Sequence, residues 1–281
     1  MKHSYNIKIL VFLLFLILLW DYLNSGIIIK QKLFPQVLED DNDDKKISIF
    51  ILAGQSNMVG RGGVINKVWD KFVPPECSSD PRIIRVNENS ELEIAKEPLH
   101  AGLDHPSKTC GVGPGMAFAN AILKKVPNFG TIILVPSAFG GSSVSEWASS
   151  NSSLREKMIN RTNQAVRYGG KIRGLLWYQG ETDTQSEWNM RNFPGEYHKF
   201  IHILYKELLH PRVPFIQVAL ASGQGKSDLL ERVRAAQLGM EDIITVDAMG
   251  LAVKSDGFHL TTMAQVHLGN MLADAFLKSY I

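Results

Sequence analysis

A chain of 281 residues, 45% hydrophobic and 21% charged, buries one substantial core or two small ones, which excludes a disordered protein. A net charge of +2, with lysines and arginines scattered along the chain, gives no footprint for nucleic acid. The two cysteines, Cys77 and Cys110, lie far apart without paired histidines nearby, which argues against a zinc ligand set.

Lys2 and Lys8 precede an unbroken apolar run from Ile9 to Trp20. That run is short for a bilayer span, and its positive start suits a secretory signal over residues 1–26. No clean small-x-small site follows; the best candidates lie around Ser25 and Gly26. Cleaved signal peptide and uncleaved signal-anchor both stay open, with an N-terminal core helix as a minor alternative. The first two readings send the protein to the extracellular space or a lumen, and membrane contact follows only if the segment is retained. An acidic run, Glu39 to Asp44, marks residues 27–45 as a solvated linker. The folded domain is expected over 46–281.

Five apolar, β-branched runs follow: Ile47 to Ala53, Thr131 to Pro136, Ile172 to Tyr178, Pro214 to Leu220 and Ile243 to Asp247. Helical spacing lies between and after them, over Met116 to Val126, Leu154 to Tyr168, Gly195 to Leu209, Asp228 to Met240 and Thr261 to Leu277. Strands alternating with helices imply parallel crossovers. The expected fold is α/β, a three-layer α/β/α sandwich around a central, mainly parallel five-stranded sheet.

The stretch from Arg61 to Gly113 departs from that rhythm, being proline-rich with weak strands at Ile83 to Val86 and Leu92 to Ile94. An insertion of this length needs tethering. A Cys77–Cys110 disulfide would supply it in an oxidising compartment, contributing roughly 3 to 4 kcal/mol in entropy models. Asn151-Ser-Ser153 and Asn160-Arg-Thr162 read as glycosylation sites in that compartment.

Polar interruptions fall where the strands end. The first strand runs into Gly54-Gln-Ser56, the second into "PSAFGGSSVSEW" from Pro136 to Trp147, and the third into "WYQGETD" from Trp177 to Asp183. The last helix follows "SDGFHL", Ser255 to Leu260. Asp256 and His259 stand three apart, a spacing that lets a carboxylate hold one imidazole nitrogen while the other faces a nucleophile. A surface histidine behind a helix cap has the same spacing. The loop pair Asp104-His105 is the nearest rival.

"GQSNM" at Gly54 to Met58, "GGSSVSEW" at Gly140 to Trp147, "WYQGETD" at Trp177 to Asp183 and "DGFHL" at Asp256 to Leu260 together resemble the successive blocks of the SGNH hydrolases, flavodoxin-like in fold. More closely the chain resembles the sialate O-acetylesterase-type domain of carbohydrate esterase family six, as in plant probable carbohydrate esterases, over Lys46 to Leu277. The resemblance implies Ser56 as nucleophile, His259 as base and Asp256 as its orienter. It implies oxyanion donors at the Ser56 amide, the Gly140 amide and the Gln179 side chain, although "GQSN" and Gln179 replace the usual "GDS" and Asn. Gln55, Asn57, Gly141, Glu181 and Asp183 are expected to support the site or touch substrate, and Trp147 is a candidate sugar platform. The expected activity is removal of O-acetyl groups from carbohydrate, with no metal or organic cofactor. A lipid esterase or thioesterase of the wider group, or a non-catalytic carbohydrate-binding domain, remains as an alternative; oligomeric state is left open.

Overall fold

The run "ISIFILAG" forms a strand buried along nearly its whole length, as a strand covered on both faces requires. The structure, a computed structural model, describes residues 47–209 and 213–280; the expected signal or anchor and the acidic linker lie outside them. In chain order the elements are β1 (Ile47–Gly54), α1 (Ser56–Val59), β2 (Val64–Ile65), β3 (Val68–Trp69), β4 (Ile83–Val86), β5 (Leu92–Ile94), α2 (Pro114–Lys125) and β6 (Thr131–Pro136). Next come α3 (Val144–Ala148), α4 (Ser153–Arg167), β7 (Lys171–Tyr178), α5 (Glu187–Glu207), β8 (Phe215–Ala219), α6 (Ser227–Leu238), β9 (Ile244–Asp247) and α7 (Thr262–Tyr280). Among the described residues no helix is long and apolar enough to cross a membrane.

The main sheet has the order β5-β4-β6-β1-β7-β8-β9. All its pairings are parallel except β4 with β5 at the edge. It therefore holds seven strands where five were expected, because both weak segments of the long insertion pair into it. Chain progression reverses at β1, with β6 on one side and β7 on the other. That reversal opens a crevice at the carboxyl ends of the strands, where such sheets place ligands.

Each face of the sheet is closed by aromatic packing. Phe50 of β1 meets Phe118 of α2 and Phe276 of α7 edge-on, with ring centroids 4.9 and 4.8 Å apart. On the opposite face Trp177 of β7 lies 4.4 Å from Phe200 of α5 and 5.3 Å from Trp147 of α3. Helix α5 starts at Glu187, ahead of the expected Gly195, because Ser186 caps it by accepting from the Asn189 amide at 3.2 Å. Pro194 is carried inside it.

The expected Cys77–Cys110 disulfide is not formed; both are free thiols. Cys77 is buried in the core, and burial pushes its thiol far above the usual range. The Cys110 thiol donates to the His100 carbonyl at 3.5 Å. The insertion is tethered by other means. Strands β4 and β5 bind it to the sheet, Gly62 and Val112 form an antiparallel bridge, and a buried Arg61–Asp104 ion pair spans it. A thiol-reactive label added to unfolded, unreduced protein should therefore modify both cysteines, read by peptide mass spectrometry. Recovery of a linked Cys77–Cys110 peptide would contradict this.

Candidate active site

Ser56 stands at the switch point, immediately beyond β1. The strand can bring it there because Gly54, at φ +127°, lets β1 approach β7: a Cβ at this position would lie 2.1 Å from the Tyr178 carbonyl oxygen. The Gln55 amide then donates to that carbonyl at 2.8 Å. Ser56 opens α1, and among the described residues its backbone N–H has no hydrogen-bond partner, as expected for a first-turn amide.

His259 arrives from the loop between β9 and α7, and the loop's local geometry aims it. The Asp256 carboxylate accepts from the Phe258 amide at 3.2 Å and from the His259 amide at 3.0 Å, a turn closed by its own side chain. The other carboxylate oxygen sits 2.9 Å from His259 Nδ1. His259 Nε2 lies 2.9 Å from Ser56 Oγ. Burial disfavours the charge on Asp256, but the two amides and the imidazole outweigh it and hold the carboxyl below its ordinary value. For His259, burial wins over the attraction of Asp256, with Arg61 and Lys254 adding in the same direction, so its pKa falls below the ordinary 6.5.

Asn57 fixes the spacing between these two segments. Its Nδ2 donates to Glu181 Oε1 at 2.7 Å and to the Phe258 carbonyl at 3.0 Å, and its Oδ1 accepts from the Leu260 amide at 2.9 Å. The backbone on both sides of His259 is thus clamped to the residue after Ser56. Gln55 performs the same office toward β7, its Oε1 accepting from the Thr182 amide at 3.3 Å.

Three expected roles are not met. The Gly140 amide donates to Asp104 Oδ1 at 2.8 Å, so it is committed to a carboxylate rather than free for an oxyanion. The Gln179 side chain is fully buried, and its Nε2 is held by the Asp183 carboxylate and by the Ser142 carbonyl at 3.0 Å. Trp147 is fully buried, its indole N–H donating to Ser142 Oγ at 2.9 Å, so it packs the core and offers no platform to a sugar. Glu181 and Asp183, expected to support the site or touch substrate, are buried and support it: Glu181 accepts from Asn57 Nδ2 at 2.7 Å, and Asp183 accepts from Gln179 and from the Val144 amide at 3.2 Å. Gly141 is exposed, as are Asn151 and Asn160.

Sequence reasoning passed over Arg61 and named Asp104 only as half of a rival pair. Their ion pair is almost completely buried and lies directly beneath Gly140, where an added Cβ would meet Arg61 Nη2 at 2.6 Å. It carries the glycine loop. Arg61 also donates to the Thr109 carbonyl at 3.1 Å. The available signal was an isolated arginine closing the "GQSNMVGR" block.

A carboxylate and an imidazole hydrogen-bonded in series with a serine, at the switch point of a parallel sheet, form the arrangement that serine hydrolases of α/β fold share. Residues 46–278 match the family described as carbohydrate esterase, sialic acid-specific acetylesterase, and the chain belongs to it. It is 45% identical over 241 residues to a probable carbohydrate esterase of Arabidopsis thaliana, covering 83% of this chain and 91% of that one. An X-ray structure from Arabidopsis thaliana superposes with a TM-score of 0.79 at 44% identity, covering 83% of this chain and 99% of its own. The fold extends to a carbohydrate acetylesterase of Xanthomonas citri, TM-score 0.54 at 19% identity over 82% of this chain and 55% of that one. Membership makes the protein a hydrolase acting on esters.

The buried carboxyls generate a stability prediction. Burial raises Glu181 from 4.5 to about 8 against the opposing Asn57 hydrogen bond, and raises Asp183 to about 7. A group that holds its proton more tightly when folded stabilises fully below its unfolded pKa and loses that contribution as pH rises through the folded one. Stability should therefore decline between about pH 5 and pH 8. Glu181→Gln keeps an acceptor for Asn57 and removes one proton site, so its melting temperature should fall less over that window. Parallel wild-type and variant profiles would refute the assignment.

Proposed function

We propose that the protein is a serine esterase that removes O-acetyl groups from carbohydrate through an acetyl-enzyme intermediate. One observation carries this reading: two 2.9 Å hydrogen bonds link Asp256 to His259 and His259 to Ser56 in line. Membership of the carbohydrate esterase family supports the substrate class.

In this reaction His259 Nε2 takes the Ser56 proton as Oγ adds to the acetyl carbonyl. The unpaired Ser56 amide is available to the oxyanion that develops. Collapse breaks the bond to the sugar oxygen, which leaves with the proton from His259. A water then gives its proton to His259 and attacks the acetyl-serine, releasing acetate and restoring Ser56. Asp256 holds the imidazole with Nδ1 protonated and stabilises the imidazolium formed in each half.

Ser56→Ala and His259→Ala should each reduce kcat on an acetyl ester by roughly 10⁴- to 10⁶-fold, and the double variant by little more, because the groups act as a unit. Asp256→Asn should cost about 10⁴-fold. Activity requires neutral His259, so the wild-type rate should rise with pH, with a midpoint below that of free imidazole. Asp256 raises the His259 pKa, so the residual activity of Asp256→Asn should have its acidic limb at still lower pH. Full activity in folded Ser56→Ala protein, confirmed by far-ultraviolet dichroism, would remove Ser56 from the chemistry.

Family membership favours a carbohydrate over a lipid. The cleft beside His259 is lined by polar residues such as Lys67, Ser107, Thr109 and Thr262 together with Val64 and Ile65, and apolar atoms make up most of its exposed wall. Turnover should fall steeply from acetyl to butyryl to octanoyl esters of one alcohol. A preference for the longer acyl groups would favour the lipid-esterase alternative.

A further inference from the structure

Lys254 takes no part in the proposed reaction, yet it is bonded to two separate parts of the site. Its backbone frames the loop that carries the acid and the base: the Lys254 amide donates to the His259 carbonyl at 2.7 Å, and the Lys254 carbonyl accepts from the Gly257 amide at 2.9 Å. Beside it Val253 and Leu260 form an antiparallel bridge. The chain therefore leaves and returns within one closed loop, with Asp256 inside it. The side chain reaches a different segment. Its Nζ donates to the Val64 carbonyl at 2.6 Å, across 190 residues of sequence, and lies 3.5 Å from Asp256 Oδ2. That is the carboxylate oxygen 2.9 Å from His259 Nδ1.

Val64 opens the β2–β3 hairpin, and residues 64–67 form one wall of the cleft beside His259. The hairpin turns through Asn66 and Lys67, at φ 49° and 63°, the left-handed pair of a tight hairpin turn. The Thr109 hydroxyl holds that turn by donating to the Lys67 carbonyl at 2.5 Å, and Lys254 holds its start. One ammonium thus joins the cleft wall to the acid beside the base. It also enters the charge balance at the imidazole. Asp256 favours the imidazolium, whereas Arg61 and Lys254 oppose it. Arg61 is matched by Asp104 in the buried pair, and Glu181, which meets the loop through Asn57, is driven toward its neutral form. Lys67 and Lys108 line the same cleft, and Lys108 donates to the Gly140 carbonyl at 3.0 Å. Among the described residues, no other lysine or arginine contacts the Asp256 carboxylate.

We propose that Lys254 is a positioning residue for the esterase reaction: bonded to the Val64 carbonyl and set beside Asp256, it fixes the cleft wall to the triad and places a positive charge that opposes protonation of His259. This rests on the esterase reading given above and adds to it a residue that touches none of the reacting atoms. A cation close to an imidazole disfavours its charged form, so the base stays free to accept the serine proton at lower pH. Asp256 keeps its own charge without Lys254, because two amides and the imidazole hold it. Removing the Lys254 charge therefore acts with the opposite sign to removing Asp256: His259 holds its proton to higher pH. At this range, with the pair partly open to water, the effect is roughly half to one pH unit. Added salt reduces it.

The test uses the full chain and two pH profiles. One is kcat/KM on para-nitrophenyl acetate; the other is the NMR titration of the His259 imidazole, its signal identified by its loss in His259→Ala, which requires no turnover. Lys254→Met should raise both midpoints by roughly half to one pH unit, and lower kcat/KM above the midpoint about two- to fivefold. Raising salt should narrow the gap between wild type and variant. Lys254→Gln keeps a donor for the Val64 carbonyl and removes the charge, so it should move both midpoints as Lys254→Met does while lowering the melting temperature less. Lys254→Arg keeps the charge and should return both midpoints toward wild type. A lowered melting temperature with both midpoints unmoved in Lys254→Met and Lys254→Gln would make the role merely structural and overturn the proposal, as would an arginine variant that titrates like the methionine one. A shifted His259 titration in a protein that hydrolyses no ester would leave the charge effect of Lys254 standing and defeat the esterase reading.

Discussion

Three segments far apart in sequence meet on the side chain of Asn57, and the relation of nucleophile to base depends on that meeting. Its amide bonds to Glu181, 124 residues away, and to the backbone around His259, more than 200 residues away. Every polar atom of that amide is engaged, and the residue is fully buried, so the clamp is formed where water cannot compete. A residue at the end of a strand thereby determines where a loop from the other end of the domain holds its histidine.

The electrostatics of the site follow from the same burial. Glu181 and Asp183 are pushed toward the neutral form by desolvation and serve as hydrogen-bonding partners more than as charges. Asp256, partly open to solvent, remains in its charged form beside His259. Three carboxyls close to one serine thus divide into one anion next to the imidazole and two scaffold groups. Environment makes that division, as it does wherever carboxyls near one site carry different protonation states.

The Arg61–Asp104 pair performs a complementary task from the insertion. Buried ion pairs are costly to form and costlier to break by removing one partner. Here the pair lies under the glycine loop and takes up the Gly140 amide, so the loop's position is tied to the insertion instead of to substrate. The free thiols of Cys77 and Cys110 are consistent with that arrangement, since the ion pair, the Gly62–Val112 bridge and the β4–β5 pairing already hold the segment.

What the sequence determined by itself is what neighbouring residues decide. Apolar runs of strand length alternating with helical periodicity specify a parallel, doubly covered sheet, and β1, β6, β7, β8 and β9 all form where those runs lie. Asp256 and His259 are three residues apart, so their contact is a local event that spacing alone can express. The tertiary structure decided which of several equivalent donors and acceptors pair across long separations. Gly140 turning to Asp104, Gln179 to Asp183 and Ser142, and Trp147 into the core against Trp177 all depend on packing register and on competition among buried polar groups. The weak segments at β4 and β5 became strands because β6 offered an edge to β4, and β4 in turn to β5. A linear pattern carries periodicity, but the choice of a hydrogen-bond partner is made only once the chain has brought its candidates together.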